Sequence, residues 1–119
     1  MSTLSVSNIT DGTTTVGTSY VVNGSAKVWA NYSTVTSTSI RDSLNVSSLT
    51  DNGSGNTEIY LTNSFADTNY AHLGESSEFH FAVGNLTKAV GSFRLTTFNS
   101  SHSLNDASQI SPIAIGDLA

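Results

Sequence analysis

The 119 residues leave room for one domain with one core. Ser, Thr, Asn and Gly supply 57 of them, and only 11% are charged, against about 25% in an average soluble domain. The net charge of −5 and the scatter of Lys27, Arg41, Lys88 and Arg94 argue against nucleic acid as a partner, zero cysteines exclude disulfides and thiolate metal sites, and no apolar run approaches the ~20 residues of a membrane-spanning helix.

Residues 1–19 read as an N-terminal docking arm. They are rich in Thr and Ser, turn at Asp11-Gly12, and offer only Val6, Ile9 and Val16 as anchors. Residues 20–119 read as a single β-domain, with strands predicted near 20–23, 26–33, 38–48, 57–62, 70–73, 78–83, 89–98 and 112–116. Residues 26–32 alternate, so Ala26, Val28, Ala30 and Tyr32 share one face and Lys27, Trp29 and Asn31 the other. Between Ile40 and Leu49 the apolar phase slips, which predicts a bulge or a strand end near Ser48. Asn23-Gly24, Asp51-Asn52-Gly53-Ser54-Gly55 and Gly84-Asn85 are turn signals that tolerate positive φ. Phe79, Phe81 and Val83 share a face, as do Phe93 and Leu95, and these faces are assigned to the core. Ser103–Gln109 is the one helix candidate, capped by Ser103. Pro112 opens the last strand, where a missing N–H costs least. Short strands with turns every 8–12 residues predict an all-β fold, a small antiparallel β-sandwich or open barrel.

Val22-Asn23-Gly24-Ser25-Ala26-Lys27-Val28-Trp29, followed by Ile40-Arg41-Asp42-Ser43-Leu44-Asn45-Val46-Ser47-Ser48-Leu49-Thr50-Asp51-Asn52-Gly53, resembles a pattern common in tail-fibre and related virion proteins of tailed bacteriophages. The likeness covers residues 22–55 and continues more loosely through Phe65–Tyr70 and Ile113–Asp117. It implies a virion structural protein of tail-fibre type, made in the host cytoplasm and assembled as a homotrimer. Such a protein mediates attachment to a glycan or protein of the host surface, and its arm binds other virion proteins. A head decoration protein on the capsid and a free carbohydrate-binding module are the alternatives. The chain departs most from the pattern at Gly74–Ser77, Gly84–Lys88 and Asn99–Asn105. Variable loops on a fixed scaffold are where binding concentrates, so Glu75, Ser76, Ser77, Asn85, Asn99, Ser100, His102 and Asn105 are candidate receptor contacts.

Catalytic signals are weak. No Gly-x-Ser-x-Gly elbow accompanies the 21 serines, and the acids are scattered, so no enzymatic activity is expected. His72, His80 and His102 form no His-x-His pair, so neither a metal nor another cofactor is expected. Trp29 beside Asn31 could stack on a sugar, but Trp29, Tyr32, Phe79, Phe81, Ile113 and Ile115 read more simply as core or interface anchors. Arg41-Asp42 reads as an ion pair, or a backbone-bonded pair, at the start of its strand. Seven Asn-x-Ser/Thr matches follow from the composition and carry no sign of glycosylation.

Overall fold

The computed structural model describes residues 1–77 and 81–119, the backbone alone over 81–86. Among them are ten strands: β1 (Asn8–Thr10), β2 (Thr15–Gly17), β3 (Ala26–Ser33), β4 (Ser39–Leu44), β5 (Val46–Asp51), β6 (Asn56–Leu61), β7 (Ala71–Ser76), β8 (Phe81–Ala89), β9 (Ser92–Phe98) and β10 (Ile110–Ile115), with one helix, α1 (Thr18–Gly24), between β2 and β3. β1 and β2 form a separate hairpin. The rest build two antiparallel sheets, in the orders β4-β3-β10-β7 and β5-β6-β9-β8. The fold is all-β and sandwich-like.

The alternation in β3 is real. Val28, Ala30 and Tyr32 are buried, and they join Ile59, Leu61, Phe65, Tyr70, Phe93, Leu95 and Ile110 in one core between the sheets. Burying each large apolar side chain contributes about 1.5–3 kcal/mol. Phe65 stacks on Tyr70 at 4.0 Å between ring centroids. The phase slip has its cause at Asn45, where φ is +60° and the chain leaves one sheet for the other. Asn45 Oδ1 accepts from the Asn63 N–H (2.7 Å) and Asn45 Nδ2 donates to the Asn63 carbonyl (3.0 Å), which fixes that corner. The register also shifts between Val46 and Ser48.

Several expectations are corrected. Residues 20–23 are helical, not extended. No strand of the described chain pairs with them, and a helix satisfies its own backbone where a lone strand would not. The predicted strand over 38–48 is two strands in different sheets. Gly84-Asn85 lies inside β8, where the register with β9 shifts, and the hairpin turn falls at Val90-Gly91. Gly74 is no loop glycine but the middle of β7, facing inward. A Cβ there would come within 2.7 Å of Leu95 Cδ2, so the missing side chain makes room for the core leucine. Residues 103–109 form no helix, because their polar groups are drawn to other segments: Asp106 to Gly55 N–H and Ala107 to Thr34. Pro112 is the third residue of a central strand, and the β10–β3 ladder skips it and Ser111.

Candidate functional site: an open sheet face and a loop cluster

Two surfaces emerge. The first is the outer face of the β4-β3-β10-β7 sheet. Register places Leu44 opposite Trp29, Trp29 opposite Ile113, and Ile113 opposite Leu73. One apolar row therefore crosses the whole sheet on its solvent side, with Leu44 47%, Trp29 37% and Leu73 62% exposed. One step along the strands lies a polar row. Asp42 is opposite Asn31, Asn31 Nδ2 reaches Ser111 Oγ at 3.5 Å, and Ser111 is opposite Glu75. An open groove of about 500 Å³ runs between the rows, walled by Trp29, Asn31, Leu73, Glu75, Ser111 and Ile113.

The outer face of the other sheet differs. There Glu58 Oε2 accepts from Arg94 Nε at 3.1 Å and Glu58 Oε1 from Ser92 Oγ at 2.9 Å. Burial opposes ionisation of Glu58, but the Ser92 and Arg94 bonds prevail and hold its carboxyl below the usual value.

The second surface is a cluster of loops at one end of the sandwich. The β3–β4 and β5–β6 turns meet there, Thr38 Oγ1 donating to Asp51 Oδ2 at 3.2 Å. Gly55 N–H donates to Asp106 Oδ1 at 2.9 Å, and Ser77 Oγ lies 2.9 Å from Ser108 Oγ. Asn99 Oδ1 accepts from the Ser101 and Ser103 N–H groups, and His102 follows at φ +61°. Hydroxyls, amides and the carboxylates of Asp51 and Asp106 line the tip.

The structure sorts the predicted site residues. Tyr32 is core, its hydroxyl buried without a well-formed hydrogen bond although Thr57 lies beside it, and burial drives its pKa upward. Trp29 is not core, nor are Ile113 and Ile115. In β10 the inward positions are Ile110, Pro112 and Ala114, so the two isoleucines fall on the outer side of the pleat. Phe79 lies outside the described residues, and of Phe81 only the backbone is described, paired with Phe98. Ser77, Asn99, Ser100, His102 and Asn105 meet at the tip. Glu75 and Ser76 belong to strand β7, Glu75 on the open face and Ser76 turned inward, because the core needs Gly74 in phase between His72 and Ser76. Asn85 lies within β8, away from the tip. Arg41 and Asp42 do not pair with each other: Arg41 Nη1 donates to Asn31 Oδ1 (3.0 Å) and Nη2 to the Ser108 carbonyl (2.6 Å), while Asp42 Oδ1 accepts from the Ser43 N–H.

Sequence reasoning missed Leu44 and Leu73 as members of the apolar row. Their outward phase was readable only once the strand bounds of β4 and β7 were known. It weighed His72 only as a metal ligand, whereas the ring sits 5.0 Å from Phe93 and 6.1 Å from Tyr70, with Nε2 unbonded. Burial first, then the charge of Lys88, lowers its pKa, opposed by a hydrogen bond to the Arg94 backbone. Lys88 Nζ in turn lies 4.6 Å above the Tyr70 ring and donates to the Tyr70 carbonyl at 2.7 Å, and burial pushes the Tyr70 phenol up to about 12. Among the described residues no three His, Asp or Glu side chains converge as a metal site, and no helix is long and apolar enough to cross a membrane. Comparison of the chain with protein-family models, with characterised proteins and with solved structures finds no match.

Proposed function

We propose that this chain is a structural virion protein of the tail-fibre type, working as a homotrimer that mediates attachment to the host surface without chemistry of its own. The observation that carries this reading is the polarity of the molecule. The chain enters β3 at Ala26, the end of the sandwich opposite the Ser33–Ser39 turn and the loops that cluster with it. Everything before Ala26 projects from that entry end, in a particle 50 Å long but only 28 × 25 Å across. Leu4, Val6, Ile9, Val16, Tyr20, Val21 and Val22 are all exposed there, and α1 buries none of its residues. A seven-residue helix and a three-residue hairpin are marginal by themselves. Such a segment suits docking to another virion protein, and the far tip, built of Ser, Thr, Asn and Asp, suits hydrogen-bonded contact with a host glycan or protein. The sequence pattern over residues 22–55 points the same way.

The test is host-cell binding by the purified full-length protein. Saturable binding, competed by whole particles and weakened by Asn99→Ala with His102→Ala at the tip, is expected. Absence of binding to cells that adsorb the particle overturns the attachment role. Immunogold labelling then distinguishes tail from head, and label spread over the capsid favours the decoration reading.

A further inference from the structure

We infer that the groove on the outer face of the β4-β3-β10-β7 sheet is a subsite for a neutral glycan, with one pyranose ring of it lying over strand β10 between Trp29 and Glu75. The inference rests on the attachment reading above and deepens it, adding a ligand class and a second contact beside the tip. Three observations lead to it.

The first is shape. Trp29 and Asn31 on β3 form one wall and Leu73 and Glu75 on β7 the other, with Ser111 and Ile113 of β10 as the floor between them. The wall strands stand two inter-strand spacings apart, about 10 Å. The space of about 500 Å³ falls in the range of small-molecule clefts, about 300–1,000 Å³. It is open to solvent, so a saccharide chain can enter and leave. The groove also adjoins the tip: β7 runs from Glu75 through Ser76 to Ser77, whose hydroxyl lies 2.9 Å from Ser108 Oγ there.

The second is a division of chemistry. Trp29, Ile113 and Leu73 make one half of the groove apolar, and Asn31, Ser111 and Glu75 make the other half polar. A pyranose has the same two aspects, a C–H face that packs on an aromatic ring and a rim of hydroxyls that both donate and accept. The Asn31 amide can donate to that rim, the Glu75 carboxylate can accept from it, and the Ser111 hydroxyl can do either. A purely apolar partner would bury those three polar groups without satisfying them, which is costly.

The third is preorganisation. A guanidinium only donates, so Arg41 Nη1, 3.0 Å from Asn31 Oδ1, fixes which way the amide faces and leaves Nδ2 toward Ser111 and the groove. Arg41 is itself held, Nη2 donating to the Ser108 carbonyl. The amide donor therefore stands in place before a ligand arrives, which lowers the ordering cost of binding. Charge narrows the ligand class. Glu75 in the wall, Asp42 opposite Asn31 and the net charge of −5 disfavour carboxylated or phosphorylated sugars and leave neutral ones.

Trp29 is the one tryptophan of the chain, so intrinsic fluorescence reads this groove alone. The test titrates the full-length protein with neutral tetrasaccharides of glucose, galactose, mannose and N-acetylglucosamine, and with sialylated and uronate-containing tetrasaccharides. A saturable shift in Trp29 emission with at least one neutral sugar is expected, with Kd on the order of 1 mM, as one ring in an open groove gives. By calorimetry, Trp29→Ala should weaken binding roughly tenfold or more, as loss of a stacking anchor does. Glu75→Gln, and Asn31→Asp, which keeps an acceptor for Arg41 but removes the donor, should each weaken it roughly two- to tenfold. A thermal melt confirms that each variant is folded. No saturable shift with any neutral sugar up to about 20 mM overturns the inference, whether or not the protein binds host cells. Sugar binding without host-cell binding overturns the attachment reading and leaves the groove standing. Binding undiminished in Trp29→Ala puts the sugar elsewhere and overturns the subsite, and a preference for the sialylated or uronate sugars overturns the neutral class. Trp29 emission that shifts with another purified virion protein and with no sugar makes the groove a protein contact and overturns the inference.

Discussion

Replacing Gly55 by alanine tests the loop cluster directly, because this residue ties three segments together with no room for a side chain. Its φ is +65°, a region that costs an L-residue about 1–2 kcal/mol. A Cβ would overlap the Thr97 carbonyl oxygen and come within 2.6 Å of Asn105 N, both backbone atoms that cannot swing aside. To make space, the 99–107 loop must move. That strains the Thr97 N–H bond to the Gly55 carbonyl (2.8 Å) and the Gly55 N–H bond to the Asp106 carboxylate (2.9 Å). Net values of about 1 kcal/mol for the first and about 2 for the charge-assisted second bring the total to roughly 4 kcal/mol. For a domain of this size that lowers Tm by roughly 16 °C, at about 4 °C per kcal/mol. Gly53→Ala is the internal control. Gly53 also has positive φ, +111°, but nothing lies within 4 Å of its Cβ position, so only the conformational cost of about 1–2 kcal/mol remains. Differential scanning fluorimetry on both variants decides. Equal melting temperatures would show that the loop yields freely and that Gly55 is not the tie point of the tip.

Three further outcomes are expected. Gly74→Ala should cost about 1–3 kcal/mol by overpacking against Leu95, and Leu95→Val in the same chain should return part of it in a urea melt. His72 has a folded-state pKa below its usual value, so the unfolded chain binds the extra proton. Stability should therefore fall as pH drops below about 6.5, and His72→Leu should flatten that part of the Tm–pH curve. Deleting residues 1–24, none of which is buried, should leave the melt within about 2 °C of the full chain while reducing incorporation into particles.

What the sequence disclosed was local, and what it hid depended on distant partners. The alternation of β3 and the Phe93–Leu95 face are period-two signals that a strand buried on one side must show, whatever it pairs with. Gly53 and Gly55 announced positive φ through their neighbours Asp51 and Asn52. Gly74 carries the same letter with the opposite meaning: its smallness answers Leu95, 21 residues on in a different sheet, and no local pattern separates a packing glycine from a turn glycine. Tyr20-Val21-Val22 has the composition of a strand, but a strand exists only where an edge is free to receive it.

The candidate site divides along the same line. That Trp29 lies opposite the core face followed from counting by twos along β3. That it belongs to a row did not, since the row is a property of register. Ile113 stands beside Trp29 from 84 residues away, and Leu73 and Leu44 complete the line only because the sheet order is β4-β3-β10-β7. The charges on that face are placed in the same manner. Arg41 and Glu75 are unrelated in sequence, yet the topology places one on each margin of a single face.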